Sequence, residues 1–427
     1  MWKPVRLALT GNRHWRSSVA LLLLFVCAQA SGINIKAKKN IVDGISYQLN
    51  AKKELAVVVK GETPYVDEVV IPEKITVDTI TYYVEEIAAG AFSGSTGLTT
   101  ISIPKTVTKI GAEAFKGCSS LVEITLPARI EEVPTAFFES CTSLTTVNIP
   151  DRVSKMGTGV FRNCKSLEHI KLPKMLTKIP NSTFEGCSSL IDVTLPEGTI
   201  SIENDVFKDC TSLETLNIPT GVKEIGNEVF KGCVSLKSVY LPKSIVRIEE
   251  SLFERCSSLK EITIPNSVQR IEDDAFKDCT SLDSLYLPNS LKAIGSGLFE
   301  NCSNLQKANI PNSIAKVPSS MFKNCTSLVN IKIPASIKEI DSNAFRGCTS
   351  LSFIELPSGL KTIGSSAFED CVNLMDVKVQ SAAPPKISSS SFSKATSREG
   401  NLLVKKGTVK NYEIDKQWCK FLNIIVF

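Results

Sequence analysis

The stretch from residue 256 to residue 278 reads CSSLKEITIPNSVQRIEDDAFKD, and variants of this unit recur along most of the chain. A leucine comes three residues after its cysteine, a proline nine residues after it and a phenylalanine twenty residues after it. The cysteine itself returns every 23 residues, at Cys118, Cys141, Cys164, Cys187, Cys210, Cys233, Cys256, Cys279, Cys302, Cys325, Cys348 and Cys371. A fixed period of this length is the sequence signature of a structural repeat.

Each unit contains one short strand. Leu259, Ile262 and Ile264 are spaced as in a strand that turns alternate side chains inward, and Pro265 ends the strand's pairing because it has no N–H. A single unit buries too little apolar surface to offset the entropy of ordering it, so successive units must stack. We therefore predict a repeat solenoid of thirteen coils over residues 95–393, with one parallel strand ladder.

The full pattern, C-x-S-L-x-x-I-x-L-P-x-x-V-x-x-I-x-x-x-A-F, resembles that of the BspA-like leucine-rich repeat family. The resemblance extends over residues 45–427. It implies a right-handed coil and a bacterial surface or secreted recognition protein, often adhesive, with no catalytic residues and no cofactor. We also expect a β-rich cap of hairpins over residues 31–94 and a mixed cap over residues 394–427 that begins with a loop, residues 394–401.

The first 30 residues are typical of a secretory signal. Basic residues extend to Arg16, an apolar run follows, and Ala28-Gln29-Ala30 predicts cleavage before Ser31. A lipidated Cys27 and a retained anchor are the alternatives. No other stretch is apolar for long enough to span a membrane. The sequence therefore predicts an exported protein, extracellular or associated with the cell surface.

Composition excludes several classes of function. The formal net charge of +5 falls to +1 once the four basic residues of the signal are removed, which gives no reason to expect a nucleic-acid partner. One of the two histidines, His14, lies in the signal, so the mature chain keeps only His169. A single histidine nearly excludes Ser-His-Asp and Cys-His catalysis and histidine-rich zinc sites.

The cysteine column has three interpretations. Cysteines stacked in register point the same way, which keeps their Cβ atoms too far apart for a comfortable disulfide. The favoured interpretation is therefore a column of buried free thiols, with bridging of some neighbours and a metal array as the alternatives. Cys419 lies outside the column and is predicted to belong to the core of the C-terminal cap.

Ligand-binding residues are expected among the outward strand positions, five and seven residues after each cysteine, because the repeat does not fix them. Most are small or polar. The exceptions are Tyr240, Tyr286 and Phe353, and with Thr263, which lies between the tyrosines, they are the candidate ligand-binding residues. The alternative is that these aromatics only favour strand formation. His169 and Lys171, which stand beside each other on this face, are interpreted as a solvated pair.

Position fourteen carries an excess of basic residues, interpreted as a solvated face rather than as a site for an acidic ligand. It includes Lys109, Lys155, Lys178, Arg247, Arg270 and Lys316.

The sequence thus favours a non-catalytic recognition or adhesion protein that binds a macromolecule through the strand-lined face. A protein of a host or neighbouring cell is the expected partner. The alternatives are a structural spacer, a glycan-binding surface module and an enzyme whose site lies in the caps. No metal or cofactor is expected.

Overall fold

A computed structural model describes residues 39–427, and the predicted signal peptide lies outside the described residues. The chain winds into a solenoid of about fifteen turns with the predicted 23-residue period. The twelve column cysteines and the leucines that follow them are fully buried, so the repeat residues form one continuous core along the axis.

The predicted strand ladder is present, and we call it the front ladder. Its strands pair in parallel wherever they are paired, with equivalent repeat positions side by side. Its members are β4 (Val66–Val70), β7 (Gly97–Ser102), β9 (Glu123–Thr125), β11 (Thr146–Asn148), β13 (His169–Lys171), β15 (Asp192–Thr194), β17 (Thr215–Leu216), β19 (Ser238–Val239), β22 (Ser284–Leu285), β24 (Lys307–Ala308), β27 (Phe353–Leu356), β29 (Asp376–Val379), β31 (Asn401–Val404) and β32 (Asn423–Val426).

The structure adds a second parallel ladder, the side ladder, which sequence analysis missed. Its strands have only two residues each, too few to show an alternating pattern in the sequence. They are β8 (Lys109–Ile110), β10 (Glu132–Val133), β12 (Lys155–Met156), β14 (Lys178–Ile179), β16 (Ser201–Ile202), β18 (Glu224–Ile225), β20 (Arg247–Ile248), β21 (Arg270–Ile271), β23 (Ala293–Ile294), β25 (Lys316–Val317), β26 (Glu339–Ile340), β28 (Thr362–Ile363) and β30 (Lys386–Ile387).

A turn that carries the phenylalanine closes each coil. Its residues eighteen and twenty-two positions after the cysteine have positive φ, for example Asp205 (58°) and Asp209 (56°). Backbone hydrogen bonds join neighbouring turns, as where the Phe207 N–H donates to the Val229 carbonyl at 2.9 Å. The phenylalanine rings stack from Phe92 to Phe392 in one column, with centroids 5.1–6.1 Å apart.

The N-terminal cap consists of the expected hairpins. Strands β1 (Asn40–Val42), β2 (Ile45–Asn50), β3 (Leu55–Val58), β5 (Lys74–Val77) and β6 (Ile80–Ile87) form a sheet in the order β1-β2-β3-β6-β5. The strand pairs β1/β2, β2/β3 and β5/β6 are antiparallel. Strand β6 pairs with β8, and β4 pairs with β7, so the cap continues into both ladders.

The C-terminal cap contains helices α1 (Lys394–Glu399) and α2 (Val409–Glu413) and a 3₁₀ turn at Trp418–Lys420. The prediction of a loop over residues 394–401 was wrong. Ser393 caps helix α1, since its hydroxyl accepts a hydrogen bond from the Thr396 N–H at 3.3 Å. None of the helices within residues 39–427 has the length and apolar character needed to cross a bilayer.

Candidate functional site

The candidate aromatic residues lie on the outside of the front ladder. Tyr240 is 83% exposed, Tyr286 63% and Phe353 40%, whereas Val239, the strand neighbour of Tyr240, is 4% exposed. Thr263 is also exposed. The inward and outward assignment made from the repeat therefore holds at all four positions, and none of these side chains is needed to fill the core.

The structure places Tyr240, Thr263 and Tyr286 in one row. The three coils stack in register, since Arg247, Arg270 and Ala293 pair as neighbours in the side ladder. The two tyrosines are therefore two coils apart, or about 10 Å along the axis at the ordinary spacing of neighbouring strands. Phe353 is three coils further on and two residues earlier in its strand, which moves it out of the row. The row of Tyr240, Thr263 and Tyr286 is called the tyrosine site below, and Phe353 is a separate, outlying aromatic.

Two short ribbons hold the tyrosines. Strand β19, which precedes Tyr240, pairs with β17 on its N-terminal side. Strand β22, which precedes Tyr286, pairs with β24 on its C-terminal side. Beyond Tyr286, the Leu287 N–H donates to Asn309 Oδ1 at 2.6 Å, and Asn309 Nδ2 donates to the Leu287 carbonyl at 3.0 Å. Each tyrosine is thus supported from the side that faces away from Thr263.

The coil between the ribbons lacks a strand in the front ladder. Residues 261–263 are not part of any strand, and neither their N–H groups nor their carbonyls form a backbone hydrogen bond. In a regular part of the ladder such bonds are present, for example from the Ile191 N–H to the Glu168 carbonyl at 2.9 Å. The tyrosine site therefore spans a gap in the ladder whose backbone polar groups have no protein partner.

A second gap lies beside Phe353. Residues 330–332 are likewise outside any strand and without backbone hydrogen bonds, and β27, which begins at Phe353, pairs only with β29. Both coils that lack a front strand therefore border an exposed aromatic residue. Sequence analysis did not predict the gaps, because the repeat pattern continues through both coils unchanged.

Charges around the tyrosine site are mixed. Lys237 Nζ pairs with Glu214 Oε2 at 2.7 Å, and Lys260, Glu261 and Asp283 are exposed nearby. Both signs of charge are present around the tyrosines, so the site has no large excess of either. An approaching ligand would meet aromatic surface and hydrogen-bonding groups rather than a charged patch.

His169 and Lys171 are exposed, as predicted, and they also line a depression of about 630 Å³. The depression lies where β11 and β13 adjoin without pairing, although each pairs with its other neighbour. Its remaining polar lining includes Asn148, Asp151 and Glu168, and it contains no phenylalanine, tyrosine or tryptophan. The depression was not predictable from the sequence, because it depends on the missing strand pairing.

The basic residues at position fourteen are largely paired with acids. Arg247 contacts Glu272 at 2.6 Å and Arg270 contacts the same carboxylate at 2.7 Å. Lys316 Nζ lies 2.7 Å from Asp341 Oδ2, and this hydrogen bond raises the pKa of Lys316. The acids stand two residues later in the repeat than the bases. The side ladder is therefore a face of ion pairs, which agrees with the interpretation of a solvated face.

The cysteine column is part of the core. Each thiol lies within hydrogen-bonding distance of the carbonyl of the phenylalanine 26 residues earlier, as from Cys210 Sγ to the Phe184 oxygen at 3.1 Å. Burial raises the pKa of Cys118, Cys187 and Cys371 to about 12. All twelve are free thiols. Within residues 39–427, no group of three or more His, Cys, Asp or Glu side chains is arranged to hold a metal ion.

The prediction for Cys419 was wrong. This cysteine is exposed, because the 3₁₀ turn directs the neighbouring Trp418 into the cap instead. Trp418 is fully buried and its Nε1 donates to the Pro385 carbonyl at 2.7 Å.

Comparison with solved structures finds the same fold in bacterial proteins. A leucine-rich repeat protein from Bacteroides ovatus is 29% identical, with a TM-score of 0.72, over 82% of this chain and 99% of that one. A leucine-rich cell surface protein from Faecalibacterium prausnitzii is 29% identical, with a TM-score of 0.59, over 81% and 95%. The pneumococcal vaccine antigen PcpA, 20% identical with a TM-score of 0.54 over 92% and 99%, shares the fold.

No curated protein gives a significant match. A family model described as the BspA type leucine-rich repeat region matches residues 85–214, 177–302 and 270–399, which together span most of the chain. The repeat pattern, the stacked coils and this match agree, and the chain belongs to the BspA-type leucine-rich repeat family.

Proposed function

We propose that the chain is a non-catalytic recognition protein of the cell surface or the extracellular space that binds a protein ligand through the front ladder. The tyrosine site is the centre of the binding face, and Phe353 is an outlying contact. The observation that carries the proposal is the pair of highly exposed tyrosines on either side of a gap in the ladder. The family and the cell surface protein among the similar structures support the location.

Energetics favour these residues over the rest of the face. Large aromatic side chains, tyrosine among them, are enriched among the few residues that dominate binding energy at protein interfaces. The tyrosines do not contribute to the buried core, so core packing does not account for their presence at these positions. The unpaired backbone groups between them add hydrogen-bonding capacity to an aromatic surface, and interfaces with proteins use both.

The test is a binding survey on purified extracellular matrix and cell-surface proteins, followed by affinity measurement for each protein that binds. Replacing both Tyr240 and Tyr286 by alanine should leave the melting temperature nearly unchanged and weaken binding by more than about thirtyfold, or about 2 kcal/mol. The matched control replaces Thr125 and Thr194, which are exposed at the same repeat position in other coils. Equal affinity of the double tyrosine variant and the parent for every protein that binds would refute the proposal.

Loss of binding on charge reversal at Arg247 and Arg270, with the tyrosine variant unaffected, would instead assign recognition to the side ladder.

A glycan ligand is the second candidate, and the polar depression at His169 favours it. The depression offers imidazole, ammonium, amide and carboxylate groups to hydroxyl groups of a ligand. Its test is a glycan array probed with the parent and with a variant in which His169 and Lys171 are both alanine. Signals that disappear in this variant but persist in the tyrosine variant would support the glycan site.

A further inference from the structure

We infer that the segment of ligand that fills the tyrosine site is a proline-rich stretch in the polyproline II conformation. This inference rests on the proposed function, since it names the chemistry of the ligand at the same site.

The spacing of the tyrosines is the first reason. A polyproline II helix repeats every three residues with a rise of about 3.1 Å per residue, so residues on one of its edges recur about every 9.3 Å. The two tyrosines recur after two coils, or about 10 Å at the ordinary spacing of neighbouring strands. The phenylalanine rings of the same three coils, Phe253, Phe276 and Phe299, stack with centroids 5.3 and 6.1 Å apart. A polyproline II segment lying along the solenoid axis can therefore place one proline ring on each tyrosine. Known proline-rich segments dock against aromatic surfaces in this manner.

Hydrogen bonding is the second reason. A polyproline II backbone forms no internal hydrogen bonds, and a proline residue offers a carbonyl oxygen but no N–H. Such a ligand needs donors from its partner. The tyrosine site supplies them in the two phenolic hydroxyls, the Thr263 hydroxyl and the N–H groups of residues 261–263, which donate to no protein carbonyl. The carbonyls of residues 261–263 are also unpaired, and because proline has no N–H they would keep their hydrogen bonds to water. Water must satisfy these groups in the free protein, and ligand carbonyls would replace it.

Charge is the third reason. Lys237, Lys260, Glu214, Glu261 and Asp283 mix both signs around the tyrosines, so neither an acidic nor a basic segment gains a clear electrostatic advantage. A proline-rich segment is uncharged and is already extended before it binds, which lowers the entropic cost of ordering it. Phe353 lies five coils from Tyr240, or about 24 Å along the axis, a distance that about eight polyproline II residues cover.

The experiment measures binding of fluorescently labelled decaproline to the full chain by anisotropy. A glycine–serine peptide of the same length is the ligand control. We expect saturable binding of decaproline that is at least about tenfold tighter than binding of the glycine–serine peptide. Each single variant, Tyr240→Ala and Tyr286→Ala, should weaken decaproline binding by at least about tenfold, whereas Thr194→Ala should leave it unchanged.

Three results would overturn the inference. Decaproline could bind no more tightly than the glycine–serine peptide, or it could bind the double tyrosine variant as tightly as the parent. A glycan could also bind in a way that requires the tyrosines while decaproline does not bind. The binding survey separates this failure from failure of the proposed function. If the double tyrosine variant no longer binds the protein ligands but the parent does not bind decaproline, the proposed function is supported and the proposal of a polyproline II ligand is wrong.

Discussion

Leu259→Ala should destabilise the protein by about 2–5 kcal/mol, the range for leucine truncation in packed cores. Leu259 is fully buried in the coil between the two tyrosines. The truncation removes three carbon atoms, worth about 2.4 kcal/mol at roughly 0.8 kcal/mol for each buried methylene. The cavity left in a close-packed interior adds the remainder.

The site of this substitution should also change how the rod unfolds. Residues 261–263 form no backbone hydrogen bonds, so this coil has no strand pairing in the front ladder. It is joined to its neighbours by core packing, by β21 in the side ladder, by the turn and by a few other backbone hydrogen bonds, such as that from the Ser258 N–H to the Val234 carbonyl at 3.1 Å. Stability in repeat arrays depends on such nearest-neighbour contacts. Weakening the packing at Leu259 should therefore let the two halves of the solenoid unfold separately.

The assay is urea denaturation followed by two probes, together with hydrogen exchange resolved along the chain. The parent should unfold in one transition, and Leu259→Ala should show non-coincident transitions with faster exchange near the substituted coil. Thr263→Ala, in the same coil but exposed, is the control and should cost less than about 0.5 kcal/mol. Equal losses from the two substitutions would refute the inward and outward assignment, and a single shared transition would refute the uncoupling.

Two further predictions concern the thiols and one carboxylate. Alkylation of the native protein, measured by mass spectrometry, should modify Cys419 and leave the twelve column cysteines unmodified. Burial raises the pKa of the column thiols and keeps the reagent from reaching them. Labelling of column cysteines in the native protein would contradict this. Burial alone would raise the pKa of Glu139, but hydrogen bonds from Arg162 and Lys116 lower it below its usual value of 4.5, so its stabilisation is present above that pH and is lost on further acidification. Glu139→Gln should thus lower the free energy of unfolding at neutral pH but not in acid. Glu131→Gln removes one partner of an exposed ion pair and should change the free energy of unfolding little at either pH. The same pH dependence of stability in both variants would contradict this.

Much of the fold was predictable because a repeat fixes side-chain direction many times over. In β13, Ile170 is buried and His169 and Lys171 are exposed, as the two-residue alternation of a strand requires. The phenylalanine column follows from the same period. The positive φ at the last position of the unit could also have been predicted. Glycine, asparagine and aspartate dominate this position, and they are the residues that most readily adopt the left-handed conformation.

The candidate site was only partly predictable. The outward positions of Tyr240 and Tyr286 follow from the repeat. The missing strand between them does not, because residues 256–278 keep the full repeat pattern. The ion pairs of the side ladder were also missed, because they join residues about one coil apart and two positions out of step. Cys419 was misassigned since its neighbour, Trp418, occupies the core of the cap.

The gaps connect the fold to the proposed function. Each coil already gains its stability from the buried column, the side ladder and the turn, so a front strand can be lost from one coil without exposing the core: Leu259 and Cys256 remain fully buried beside the gap. Unpaired backbone groups at a gap can exchange their bonds to water for hydrogen bonds to a ligand, which is not possible where the ladder is complete. Binding residues should therefore concentrate where the front ladder is interrupted, and the exposed Tyr240, Tyr286 and Phe353 all border such interruptions.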